Sequence, residues 1–330
     1  MHATSELFIC CSHLISFVHL EIRTSGKKKK YYLAHSMRKG NRVRKLRLYL
    51  GVDLSKKELE TKRKHAEEVL KEKVKKYGVI NDPFYTALSP SELEELENLE
   101  TRAELKVLHL DEKDWSKFGE AFAYDTNAIE GSAVTASEVV SILENKKWPK
   151  HRTKDEVSET YGVSEAIAYI RKTKIHISLG LIEKLHETVF RNSKVFAGHF
   201  RSPGMEVAVV DSSGNVIHRG APATEVVKLL KELINWYNKN KKEYPPLILA
   251  TVVHNQLENI HPFQDGNGRV GRLILNNILL KHNLPPVNIE LRNRREYYNA
   301  LQEYERNRNI RPTIELVLKE YKSLKRLLKR

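Results

Sequence analysis

Hydrophobic and polar positions along the chain change their period twice. Three short runs of β-type residues, Phe17–Arg23, Tyr31–Met37 and Val43–Leu50, alternate partially and are separated by turn-like breaks at Thr24–Lys27 and Arg38–Asn41. They predict a small β-meander over residues 15–50, closed by Gly51. Over 55–77 the period lengthens. Leu59, Ala66, Val69, Leu70 and Val74 fall near one face among charges, which predicts an amphipathic helix. Asn81-Asp-Pro83 then breaks the pattern and divides an N-terminal unit, 1–82, from a larger region, 83–330.

From Ser89 onward the pattern is almost entirely helical. Ser89-Pro-Ser-Glu92 is a helix-start signal, with Pro at the first helical position and Glu three residues after Ser. Helical periodicity recurs at about 90–107, 112–130, 136–145, 154–173, 178–191, 223–240, 246–260, 268–282, 293–307 and 312–329. One segment departs from it. In Glu206–Arg219, two β-type runs flank the polar Asp211-Ser-Ser-Gly-Asn215, which predicts a β-hairpin. The fold class expected is mainly α, preceded by a small basic β-meander and helix.

Composition narrows the class further. Hydrophobic residues make up 40% of 330, enough for a buried core and too many for a globally disordered chain. Cys10 and Cys11 are the only cysteines and are adjacent, so neither a disulfide framework nor a CxxC zinc pair exists, and a reducing, cytoplasmic setting is expected. The apolar stretch Leu7–Leu20 is 14 residues long, contains His13 and His19 and lacks preceding basic residues. It reads as a buried strand or a poorly ordered start rather than a signal peptide or membrane span.

The net charge of +15 is concentrated: residues 27–77 hold 19 Lys/Arg against 6 Asp/Glu, and the rest of the chain is nearly neutral. Lys27–Lys30, Tyr31, Tyr32, Arg38, Lys39, Arg42, Arg44, Lys45 and Arg47 form either a phosphate-binding face for nucleic acid or a solubilising surface. No zinc-finger, helix-turn-helix or RNA-binding signature accompanies them.

The densest chemistry lies in His261-Pro-Phe-Gln-Asp-Gly-Asn-Gly-Arg-Val-Gly-Arg272. Gly266-Asn-Gly268 directly precedes a predicted helix, so successive backbone N–H groups and the helix dipole make an anion-binding nest. Arg269 and Arg272 are three apart and share a helix face, suiting a polyphosphate. Asp265 is placed to hold a divalent cation that bridges phosphates. His261 is placed to take a proton from an attacking hydroxyl. Each feature alone is commonplace; base, carboxylate, nest and two arginines within twelve residues are hard to explain as core packing.

This segment resembles the signature HPFx[DE]GNGRxxR of the Fic (Fic/Doc) family at every defined position. Asn276 resembles the family's nucleotide-binding asparagine. Gly198-His-Phe-Arg201 is similar to the motif before the family's flap, and His254 and the region Leu284–Leu301 also fit family patterns. The similarity covers roughly residues 85–330. It implies a helical bundle with a flap at 206–219 and AMP transfer from ATP, with Mg²⁺ or Mn²⁺, onto a Tyr, Thr or Ser hydroxyl of a protein. His261 would be the base and Asp265 the metal ligand. Gly266, Asn267 and Gly268 would hold phosphates through backbone groups and the Asn side chain. Arg269 and Arg272 would neutralise charge, with Arg272 nearest the γ-phosphate. The flap residues Val207, Val209, Val210, Val216 and Ile217 would dock an extended target segment.

Thr126-Asn-Ala-Ile-Glu-Gly131 by itself reads as a helix C-terminus, with Gly131 as the terminator. It also resembles the inhibitory motif [ST]xxxE[GN] of the Fic class with an N-terminal inhibitory helix, here at about 112–131. That resemblance implies an ion pair between Glu130 and Arg272 in the place of the γ-phosphate, or a hydrolytic role for Glu130 in removing AMP, or both. Expected partners are a hydroxyl-bearing protein, the chain itself included, and a second copy in a homodimer. The alternative reading is a nucleic-acid-binding regulatory or toxin-like module with a Fic core.

Overall fold

The computed structural model describes residues 17–26, 28–39, 42–81, 110–210, 216–242, 244–307 and 309–328. The helix expected at 90–107, with its Ser89 start signal, the hairpin tip 211–215 and most of Leu7–Leu20 lie outside them. The chain forms two compact units, 1–78 and 79–330.

In the first unit, β1 (Phe17–Ser25), β2 (Lys28–Lys39) and β3 (Arg42–Val52) form an antiparallel sheet in the order β1-β2-β3, followed by α1 (Lys56–Asn81). The strands run longer than the sequence pattern predicts. Gly51 does not close the unit: β3 continues to Val52, and the β2–β3 register shifts between Tyr31 and Tyr32, opposite Gly51 and Tyr49. A bulge of that kind suits a glycine, here at φ 148°. Leu33 and Leu50 of the sheet pack with Ala66 and Leu70 of α1, the face that the helical spacing foretold. Part of the basic surface is locally neutralised. Glu21 pairs with Arg23 and Arg47, both at 2.8 Å, and these cations hold its carboxyl down to about 2.

Among its described residues, the second unit is helical apart from one hairpin. Its elements are α2 (Glu112–Ile129), α3 (Ala136–Leu143), α4 (Lys154–Lys172), α5 (Leu179–Phe190), β4 (Ala208–Val210), β5 (Val216–Arg219), α6 (Val226–Asn240), α7 (Pro246–Ile260), α8 (Asn267–Lys281), α9 (Arg294–Asn307) and α10 (Arg311–Leu328). Short polar side chains start α2 to α5. Asp111 caps α2, Ser178 caps α5, and Thr135 with Glu138 and Thr153 with Glu156 form capping boxes on α3 and α4. α7 and α8 are buried nearly along their whole length and form the centre of this unit. The signature loop joins them, so its polar groups are carried by two deeply buried helices. α4 approaches α5 closely at Gly162, where a Cβ would collide with the backbone of Val189. Among the described residues, no helix is long and apolar enough to cross a membrane.

Candidate active site

The site grows from the junction of α7 and α8. His261 ends α7 in the left-handed region, at φ 52° and ψ 62°, unusual for a non-glycine residue. Two backbone bonds hold it there. Its N–H donates to the Leu257 carbonyl at 2.9 Å, and its carbonyl accepts from Arg201 Nε at 2.7 Å. Arg201 also donates to the carbonyls of Met205, Ala221 and Ile260, at 2.9, 2.5 and 3.2 Å. This buried guanidinium therefore ties the end of α7 to the base of the hairpin. His261 Nδ1 lies 3.2 Å from the Glu258 carbonyl, which places its proton on Nδ1 and leaves Nε2 as the basic nitrogen.

The loop after His261 is closed from within. The Asn267 side chain accepts from Phe263 N at 2.8 Å and donates to Phe263 O at 3.0 Å. In this structure the Asn267 side chain shapes the loop through these two bonds. Phe263 stacks on His186, with ring centroids 3.8 Å apart and 10° between planes. His186 Nδ1 accepts from Gly198 N at 2.8 Å, so Nε2 carries the hydrogen that meets Asp265 O at 3.1 Å. Burial pushes this imidazole down to about 4, which keeps it neutral.

Gly266 precedes α8 at φ 80°, and a Cβ there would collide with the Phe190 ring. A Cβ on Gly268 would collide with Glu130 Oε1. The Glu130 carboxylate thus lies against the nest at the start of α8.

The two arginines do not converge on one point. Arg269 is buried, forms an ion pair with Glu159 of α4, and lies 4.4 Å above the Phe190 ring. Arg272 is 1% exposed along its side chain and faces the end of α2. Its Nε donates to Thr126 Oγ1 at 2.7 Å, and Nη2 donates to Thr126 O at 2.9 Å and Glu130 Oε1 at 2.7 Å. Burial works against its charge, and Glu130, Tyr297 and Glu258 outweigh that, holding its pKa above the usual arginine value. Gly131 follows at φ 98°, the left-handed terminator of α2.

Asp265 is half exposed at the mouth of the site. Its Oδ1 accepts from Gly266 N at 2.6 Å, and Lys194 Nζ lies 3.6 Å from Oδ2. Among the described residues, no group of three acidic, His or Cys side chains could hold a metal by itself. A divalent cation here would take one carboxylate oxygen from Asp265 and the rest from phosphates and water, a donor set that fits magnesium.

Asn276 is wholly buried, and its amide donates to Arg272 O at 3.1 Å and Val287 O at 2.9 Å and accepts from Val287 N at 2.6 Å. These bonds pin Val287 to α8. In the hairpin, Val209 pairs with His218 and Val210 with Val216, while Val207 accepts from Gly220 N at 3.0 Å. Ile217 lies on β5. His218, on the hairpin, has its ring 5.5 Å from that of His261.

Residues 176–279 match the sequence profile of the Fic/DOC family. This chain carries a Fic/DOC domain. Curated relatives include the protein adenylyltransferase Fic of Nematostella vectensis, 32% identical over 200 residues (59% of this chain and 45% of the relative). That of Aedes aegypti is 28% identical over 261 residues, 66% of this chain and 48% of the relative. The chain spans about half the length of these relatives. A Fic-domain signaling protein of Bacteroides thetaiotaomicron shares the fold at a TM-score of 0.62 and 21% identity, covering 72% of this chain and 95% of that one. Fic-1 of C. elegans does so at 0.59 and 23%, covering 84% and 78%.

Arg201, His186 and Glu159 have no part in the sequence-based site, although Arg201 ends the Gly198–Arg201 motif. A lone arginine, histidine or glutamate on a helical pattern carries no signal of the backbone carbonyl or signature residue that it meets across the fold.

Proposed function

We propose that this protein is a Fic-type protein adenylyltransferase held in check by Glu130. The observation that carries this reading is the meeting of the Gly266–Gly268 nest and Arg272 at the Glu130 carboxylate, on the loop that His261 begins. Arg269, Arg272 and Lys194 are matched there by Glu159, Glu130 and Asp265. Withdrawal of Glu130 would leave an excess positive charge beside a helix N-terminus, which suits a polyphosphate.

In the proposed reaction ATP lies along the nest, with its terminal phosphate toward Arg272 and its α-phosphate toward His261. His261 Nε2 takes the proton of a target Ser, Thr or Tyr hydroxyl. The hydroxyl oxygen bonds to the α-phosphorus, the α–β bridging P–O bond breaks, and pyrophosphate leaves with that electron pair. Backbone N–H groups of the nest face the charge that develops. A magnesium or manganese ion held by Asp265 would neutralise phosphate charge. The hairpin is the proposed dock for an extended target segment. One relative by fold, IbpAFic2, was solved in complex with adenylylated Cdc42 at a TM-score of 0.53. In the present chain Glu130 is a candidate for both restraint and AMP removal, and a copy of the chain itself is one candidate target.

The position of the label in ATP tests the chemistry. Label in the α-phosphate is expected on protein, whereas label in the γ-phosphate is not. The reverse pattern would make the enzyme a kinase.

A further inference from the structure

Behind the signature arginine lies a buried polar cluster that the reaction above does not use. Glu258 sits one turn before His261 on α7, and its Oε1 is buried without a hydrogen-bond partner, while His254 one turn earlier meets the backbone of Gly271. Both side chains crowd Gly271 of α8: a Cβ there would collide with Glu258 Oε1 and lie 3.0 Å from His254 Nδ1. The other nitrogen, His254 Nε2, is 3.0 Å from Tyr297 OH on α9. Tyr297 OH in turn accepts from Arg272 Nη1 at 3.4 Å. The cluster thus runs from Glu258 through His254 and Tyr297 to the guanidinium that holds Glu130.

We propose that Glu258 is a positioning residue of the phosphate site: protonated behind α8, it lets Arg272 spend its charge on an anion at the nest. This deepens the function proposed above and rests on that site binding ATP.

The charges around Glu258 fix the direction. Arg272 faces it from α8, Glu130 from the end of α2 and Tyr297 from α9, while His254 shares its own helix. Burial pushes the Glu258 carboxyl up to about 8, with Arg272 pulling down and Glu130 pushing up. Burial holds His254 down at about 3, so it is neutral. At neutral pH the cluster therefore carries one cation, Arg272, shared outward with Glu130. If Glu258 ionises, a second buried carboxylate competes for that cation from behind. The arriving polyphosphate repels that ionisation, so ATP binding and protonation of Glu258 favour each other. Glutamine keeps the shape and neutrality of the protonated acid, which makes Glu258→Gln the conservative variant.

The test is ATP affinity against pH in the full chain carrying Glu130→Gly, with Glu258 and with Glu258→Gln. With Glu258, affinity is expected to fall at least tenfold between pH 7 and pH 9, following the loss of one proton from a carboxyl that Glu130 no longer pushes up in this chain. With Glu258→Gln it should stay level over that range. A second measurement needs no substitution at Glu258. Calorimetry at pH 9 in buffers of different ionisation heat should find about one proton taken up per ATP bound. Equal pH dependence in the two chains, or binding without proton uptake should Glu258→Gln fail to fold, would overturn the proposal while leaving ATP binding intact. No ATP binding by the folded Glu130→Gly chain at any pH would overturn the function reading and this proposal with it.

Discussion

Arg272 holds the end of α2 through three bonds, two to Thr126 and one of 2.7 Å to Glu130 Oε1. The two Thr126 bonds orient the guanidinium whether or not Glu130 is present, so removing the carboxylate should leave a formed anion site. A charged hydrogen bond of this kind contributes about 1.5–3 kcal/mol, equivalent to roughly 10- to 100-fold in occupancy. AMP transfer should therefore rise on the order of tenfold or more in Glu130→Gly, with Glu130→Gln between it and wild type. Initial rates of label transfer check the order, and a Glu130→Gly rate at or below wild type would remove the brake from the account.

Asn276 separates a structural from a nucleotide role. Its three backbone bonds are buried, so Asn276→Ala leaves Val287 N and O without partners and should cost about 2–3 kcal/mol of stability. Folded Asn276→Ala protein should bind ATP as the parent does. Chemical denaturation and ATP titration together check this; a large affinity loss at unchanged stability would return Asn276 to the site.

Gly266 combines a positive φ with close approach to Phe190. Gly266→Ala should destabilise the protein by on the order of 2–3 kcal/mol, through backbone strain and collision with the ring. The thermal midpoint is the measurement, and an unchanged midpoint would mean that the loop is not held as described.

Glu320 gives a pH dependence of stability. Burial pushes its carboxyl from an ordinary 4.5 up to about 7. Between those values the folded chain binds the extra proton. The group's contribution to stability is therefore full below 4.5 and lost as pH rises through about 7. Glu320→Gln should gain on the parent by up to about 3 kcal/mol between pH 4.5 and pH 8, measured by urea unfolding across that range. A difference that does not change with pH would contradict the assignment.

Much of this was legible in the chain because local pattern and local chemistry coincide. Period-two alternation located the three strands, and 3.6-residue spacing located the helices from α2 to α10. The signature lies within twelve consecutive residues, so its parts are adjacent by covalent geometry. What the pattern could not show depends on crossing helices. Glu159 meets Arg269 from 110 residues away, and His186 reaches Asp265 from 79. Asn276 and Asn267 look free on a helix face until the backbone that they satisfy is placed beside them. Gly51 reads as a terminator because a bulge in a strand has no signature beyond the glycine itself.

His261 carries the central claim, and a general base of this kind contributes about 10²–10⁴-fold. The most direct measurement is transfer of α-phosphate label from ATP to protein by the Glu130→Gly chain, with His261 and with His261→Ala. The account predicts strong labelling that falls by about that factor on loss of His261, with ATP still bound. Undiminished labelling by the His261→Ala chain would contradict it.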